Sequence, residues 1–245
     1  MCTSIFVLSQ VVDYFASHGN SVYLPSLDAF KAFDRVNHVK LFDKLIDRRL
    51  PGNIIEILID WYGKVSVSVK WNNCFSKCAC KSDIRQGGIL SPVLFNIYMD
   101  SLILGLKSSG LGCQFQSFYV GCVAYADDIL LLSGSVCLLQ KVLSLCSDNA
   151  DQLRVCFNDN KSCLLKIGNS FYKKLENLQL NGQYICWFNK INYFGTHVVS
   201  GKSFKIDVST AFASFVPVLM QYSATRSMLV RCHVFVCVSR LFYRS

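Results

Sequence analysis

Two adjacent carboxylates, Asp127 and Asp128, end the tetrapeptide Tyr125-Ala126-Asp127-Asp128. Apolar runs flank them: Phe118-Tyr119-Val120-Gly121-Cys122-Val123-Ala124 before, and Ile129-Leu130-Leu131-Leu132 after. Runs this short, apolar and rich in β-formers read as buried strands. Carboxylates at the turn between such strands repel each other and resist desolvation. A positive group placed against them relieves both costs, and a divalent cation is the usual one because hard cations take carboxylate oxygens. The tetrapeptide alone fits a solvated hairpin turn equally well.

A third acid lies far upstream. Ser21-Val22-Tyr23-Leu24-Pro25-Ser26-Leu27 is a short extended stretch that closes on Asp28, so this carboxylate can project from a sheet edge toward a cleft. Between the acids runs Ser82-Asp83-Ile84-Arg85-Gln86-Gly87-Gly88-Ile89-Leu90-Ser91-Pro92-Val93-Leu94-Phe95-Asn96. Its glycine pair permits close backbone approach by a ligand. Ser91-Pro92 reads as an N-cap followed by the first helical residue; taken alone, a plain loop before a helix accounts for the segment more readily.

Taken together these segments resemble the reverse transcriptases of non-LTR (LINE-class) retrotransposons, over roughly residues 5–205 and in the family's motif order. Leu27-Asp28-Ala29-Phe30-Lys31-Ala32-Phe33-Asp34-Arg35-Val36-Asn37-His38 is similar to the first motif, and Arg85 to Asn96 to the second. Tyr125 to Asp128 resembles the third, Phe157-Asn158-Asp159-Asn160-Lys161-Ser162 the fourth, and Ile191-Asn192-Tyr193-Phe194-Gly195 the primer grip. The resemblance implies an RNA-directed DNA polymerase that extends a nucleic-acid primer on an RNA template from deoxynucleoside triphosphates. It implies magnesium, with manganese as a substitute, held chiefly by Asp28 and Asp127, with Asp128 weaker. Phe33 would lie below the sugar and reject a ribose 2′-hydroxyl. Gln86 and Gly87 would touch the incoming nucleotide and the template. Lys161 would protonate or neutralise the pyrophosphate leaving group, and Tyr193 to Gly195 would position the primer end. For Phe33, Tyr193 and Phe194 ordinary core packing is the alternative role, and for Lys161 a solvated surface position.

The elements that must hold these residues follow from periodicity. Residues 4–18 read as a helix closed by Gly19, with Phe6, Val7, Gln10, Val11 and Tyr14 marking one face. Further helices are expected at 38–49, from Pro51 to about Tyr62, from Pro92 to about Leu106, across 136–154, and near Asp207. Lys64 to Trp71 alternates strictly and should be a half-exposed strand, turned by Asn72-Asn73 into 74–80. Leu180-Asn181-Gly182-Gln183 is a hairpin signal before Ile185 to Phe188, and one strand is expected over 191–199. Helices around an antiparallel sheet give an α+β, palm-like domain. Residues 1–205 would form it, with 206–245 an atypical apolar tail.

Composition is consistent with this reading. The chain has 245 residues, is 52% hydrophobic, and carries 25 basic against 16 acidic residues for a net charge of +9, which suits a phosphate-rich partner. The 13 cysteines follow no disulfide framework, so reduced thiols in a cytoplasmic or nuclear protein are expected, with no disulfide-linked partner. Cys74, Cys78 and Cys80 cluster without the further ligands a zinc site needs. Ile5 to Val12 is too short for a signal peptide, and Met228 to Tyr243 is interrupted by Arg231, His233 and Arg240, so no membrane partner is expected.

Departures from the family pattern point the other way. The basic fingers that hold the triphosphate, and the thumb, are expected to be largely missing. Phe212 to Met220 is apolar where a duplex-gripping helix should be basic. Pro25 is unusual in a central strand, Phe30 replaces a small or polar residue, and Asp83 stands where glycine is usual. An inactive remnant that at most binds nucleic acid through its charge is the competing reading.

Overall fold

A computed structural model describes residues 2–30, 32–72, 74–79, 84, 88–125 and 127–207. The expected tail at 206–245, with its helix near Asp207, therefore lies outside the described residues beyond Asp207. The elements run α1 (Cys2–Ser17), β1 (Ser21–Asp28), a 3-10 turn (Phe33–Arg35), α2 (His38–Asp47), α3 (Gly52–Lys64), β2 (Ser66–Trp71), β3 (Cys74–Ala79) and α4 (Ser91–Ser108). Then follow β4 (Gln114–Phe115), β5 (Phe118–Tyr119), β6 (Cys122–Tyr125), β7 (Asp128–Leu131), α5 (Val136–Gln152) and β8 (Cys163–Gly168). The series closes with β9 (Leu178–Leu180), β10 (Gln183–Ile185), β11 (Lys190–Tyr193), β12 (Thr196–Val199) and β13 (Lys205–Asp207).

The organising element is a four-stranded antiparallel sheet in the order β6-β7-β1-β8. Both of its faces are covered, which explains why its strands read as continuous apolar runs rather than alternating ones. Tyr23, Leu27, Ile129, Leu131 and Leu164 face a core built from α2, α3, α4 and α5. Val22, Leu24, Leu130, Leu132, Leu165 and Ile167 face the opposite way, against α1 and the three-stranded sheet β11-β12-β13. The alternation within β1 and β7 thus sorts odd- and even-numbered residues between two cores. The result is an α+β fold, and none of its described helices is long and apolar enough to cross a membrane.

Local chemistry sets the element ends. α1 stops where Gly19 adopts φ +80°, with Gly19 N–H donating to Ala16 O (3.1 Å) and Asn20 N–H to Phe15 O (3.0 Å). This paired capping satisfies two otherwise orphaned carbonyls. The Asn181-Gly182 turn joins β9 to β10 with both residues at positive φ, as the sequence signal requires. β1 keeps Pro25 in a central strand by breaking one ladder. Pairing with β7 covers Ser26 to Asp28 and resumes at Tyr23↔Ser133, leaving Pro25, which has no N–H, in the gap. On the other side Pro25 still faces Leu164 in β8.

Several expectations need correcting. The helix carrying the second motif begins one residue early: Leu90 is the N-cap and Ser91 is already helical, because the Gly88–Ser91 turn, closed by Ser91 N–H to Gly88 O (3.1 Å), feeds straight into it. The buried face of α1 is Ile5, Leu8, Val11 and Val12, while Gln10 and Tyr14 are exposed. This helix is apolar nearly all round, so its pattern could not fix the phase. The run from Phe118 to Ala124 is two strands split at Val120-Gly121, where a Cβ on Gly121 would stand 2.7 Å from the Tyr119 ring. The segment 191–199 is a hairpin, β11 and β12, turned by Phe194 (φ +51°) and Gly195 (φ +69°).

Candidate active site

The sheet brings two of the three acids face to face. Asp28, the last residue of β1, pairs directly with Asp128, the first residue of β7, and Asp128 also pairs with Tyr125 across the β6–β7 hairpin. Asp127 occupies the turn of that hairpin and is exposed. Side chains directly opposite in an antiparallel ladder share a face, about 5 Å apart at Cβ. The carboxylates feel one another accordingly. Partial burial, then the charges of Asp127 and Asp28, push the Asp128 carboxyl above the usual carboxylate range.

The fourth motif wraps the end of β1. Asn158 N–H donates to Asp28 O (2.8 Å), and Asp28 N–H donates to the buried Ser162 hydroxyl (3.2 Å). Ala29 bridges to Phe157, and Phe30 N–H reaches Cys156 O (2.8 Å). These contacts fix the Asp28 backbone and carry Lys161 to the site, its Nζ 3.9 Å from Asp28 Oδ2. Lys161 keeps 69% of its side chain exposed, so it remains free to reorient. Ser162 is the functional residue that sequence reasoning left without a role; its place beside Lys161 in the motif was the available signal.

Phe33 follows Asp28 through the 3-10 turn and packs its half-buried ring on Phe95 of α4, centroids 4.9 Å apart. Its backbone carbonyl accepts from Ile84 N–H (2.9 Å), which ties the first motif to the entry of the second. Gln86 and Gly87 lie outside the described residues. Tyr98, also missed from sequence, is fully buried where three elements meet: its hydroxyl donates to Leu153 O (2.5 Å) and accepts from Asn37 N–H (3.4 Å).

The β11–β12 hairpin, expected from the sequence to be the primer grip, packs on the same face as Asp28 and Asp128. Tyr193 is 1% exposed, and its hydroxyl donates to Val123 O in β6 (3.1 Å). Burial, then the Cys122 thiol and the Asp128 carboxylate, raise the Tyr193 phenol well above its ordinary range. Its side chain is therefore a strut inside the core, whereas Asn192 and the turn at Gly195 are exposed and can meet a ligand directly. Phe194 is buried at 7% with a left-handed backbone, a conformation unusual for a bulky residue.

Among the described residues no three His, Cys, Asp or Glu side chains stand as a ready-made metal cage. The donor set nevertheless fits magnesium. Its oxygens are hard, the Asp128 carboxyl is held at raised proton affinity by partial burial and then by its like-charged neighbours, and this ion commonly uses one or two carboxylates plus substrate phosphates.

The fold is similar to part of telomerase. Apo telomerase from Candida tropicalis, truncated of its C-terminal domain, superposes with a TM-score of 0.59 at 15% identity, over 83% of this chain and 39% of that one. Telomerase from Candida albicans gives 0.56 at 14% identity, over 84% and 36%. Residues 3–198 match the family model for reverse transcriptase (RNA-dependent DNA polymerase), and the chain belongs to that family. It is a reverse transcriptase domain of the LINE type. The Pol polyprotein of the R2DM retrotransposable element of Drosophila melanogaster is 28% identical over 182 residues. The RNA-directed DNA polymerase of the jockey element of Drosophila funebris is 26% identical over 196. The match covers 68% and 77% of this chain, but only 17% and 21% of those relatives.

Proposed function

We propose that this chain is the palm-like part, residues 1–205, of an RNA-directed DNA polymerase that extends a primer on an RNA template. The observation that carries this reading is the register that sets Asp28 opposite Asp128, with Asp127 in the adjoining turn. Asp28 and Asp127 are the principal ligands for magnesium or manganese, and Asp128 is the weaker one. Divalent cations bound there would neutralise charge on the attacking primer 3′-oxygen and on the leaving pyrophosphate oxygen.

The protein's own groups do the rest. Ser162 and Asn158 hold the Asp28 backbone so that its carboxylate keeps its place. The Lys161 ammonium, beside Asp28, supplies a proton or a charge to the departing pyrophosphate. Phe33, backed by Phe95, excludes a ribose 2′-hydroxyl. Gln86 and Gly87 contact nucleotide and template. Tyr193 braces the Asp-Asp hairpin through Val123, and the Gly195 turn orients the primer end.

The test is incorporation of labelled deoxynucleotide on an RNA template with a DNA primer, in magnesium and in manganese, beside Asp127→Ala. Metal-dependent incorporation that the variant loses is the expected result. A folded wild-type chain that incorporates nothing, alone or fused to a family fingers segment and thumb, would sink the proposal and favour the inactive remnant.

A further inference from the structure

The β2–β3 hairpin takes no part in the site described above. Among the described residues its strands pair only with each other, in a two-stranded sheet of their own. Such a ribbon has little core to support it, yet near its tip it spends two large rings on solvent: Trp71 is 78% exposed and Phe75 72%. Register puts Lys70 opposite Phe75 on one face and Trp71 opposite Cys74 on the other. The Lys70 ammonium sits over the Phe75 ring, 5.5 Å from its centroid. Residues 61–79 hold three lysines and no Asp or Glu. Lys64 is paired with Asp60 (2.7 Å), so the net positive charge falls on the ribbon itself.

Exposed rings interleaved with lysines, and no acid to repel phosphate, are the recognition chemistry of single-stranded nucleic acid. We propose that this hairpin is a single-strand binding platform, separate from the carboxylate site. One base stacks on Phe75 with its phosphate near Lys70, and a neighbouring base stacks on Trp71 after the strand passes over the ribbon edge. A flexible single strand can make that passage, whereas a stacked duplex offers no free base faces.

The test measures binding by fluorescence anisotropy, with labelled 12-mer oligo(U) and oligo(dT) and a duplex of the same length. Each of Trp71→Ala and Phe75→Ala should weaken single-strand binding at least about five-fold, the loss expected for one stacked base. Trp71→Phe, which keeps a stacking face, should retain most of the affinity. Lys70→Ala should weaken binding and flatten its salt dependence by about one phosphate contact. Tyr184→Ala, which removes an exposed ring on β10, should bind as the wild type does. Both rings lie in solvent, so the melting temperature of these variants should match the wild type and serves as the folding control. The proposal is overturned if Trp71→Ala combined with Phe75→Ala binds oligonucleotide like the wild type, if duplex binds as tightly as single strand, or if the ring variants change only self-association, which would make a second protein surface the occupant.

Discussion

Replacing Asp128 by Asn should stabilise the metal-free protein, although it removes a residue of the candidate site. Asp28 and Asp128 are directly opposed across antiparallel strands, so their charges stand about 5 Å apart. Coulomb's law gives about 0.8 kcal/mol of repulsion there in a water-like dielectric and about 3 kcal/mol at an effective dielectric of about 20. Asp28 keeps 39% of its side chain in solvent and Asp128 is exposed, so screening holds the penalty near the lower figure. For a chain of this size about 1 kcal/mol corresponds to about 2–4 °C in melting temperature. Asp128→Asn should therefore melt about 1–4 °C above wild type at neutral pH, low salt and with chelator. The folded Asp128 carboxyl has the raised pKa, so the folded state binds more protons than the unfolded one between the two values. Its ionisation penalty is absent below the unfolded value of about 3.9, and grows as pH rises through the folded one. The variant's advantage should accordingly vanish near pH 3 and shrink in high salt. Adding magnesium to ten times its dissociation constant should stabilise the wild type by about 1.4 kcal/mol and the variant by less. Calorimetry in both buffers decides it. An Asp128→Asn protein no more stable than wild type at neutral pH, or one whose advantage survives undiminished at pH 3, would refute the carboxylate repulsion on which the metal assignment rests.

Other perturbations separate positioning from packing. Tyr98→Phe should cost about 1–3 kcal/mol in denaturant melts, since Leu153 O and Asn37 N–H lose their buried partner; an unchanged midpoint would mean water replaces the hydroxyl. Ser162→Ala should lower incorporation while costing only about 0.5–1.5 kcal/mol, the worth of the bond to Asp28 N–H, and full activity would show that Asn158 alone holds the strand end. Tyr193→Phe should slow incorporation with little change in template affinity, because the lost bond is to Val123 O inside the protein; a matching fall in template affinity would instead put the ring at the nucleic acid. Phe33→Val should raise ribonucleotide use at least about ten-fold relative to deoxynucleotide, measured as a ratio of kcat/KM values, and an unaltered ratio would leave Phe33 as a packing partner of Phe95.

What the sequence made legible, and what it did not, divides along a physical line. Short apolar runs fixed the central strands because both faces of the sheet are buried, which leaves little room for another reading. Local turn chemistry was equally readable: Gly19 and Asn181-Gly182 each demand a positive φ, and each has one. The separation of Asp28 from Asp127 allowed their strands to be neighbours, and the structure pairs those strands with Asp28 opposite Asp128. Residues whose role depends on a tertiary partner were not readable. Nothing in the local pattern of α4 distinguishes Tyr98 from its apolar neighbours; only the meeting with Leu153 and Asn37 gives its hydroxyl work. The turn at Phe194-Gly195 was missed for the opposite reason. A buried phenylalanine reads as strand, yet here burial against the sheet holds the ring in place while the backbone bends beneath it. That strain makes sense if the hairpin must set Tyr193 under Val123, and hence the Asp-Asp turn, at one height. The same packing that hides Phe194 in the sequence pattern is then what couples the position of the β11–β12 hairpin to the carboxylates.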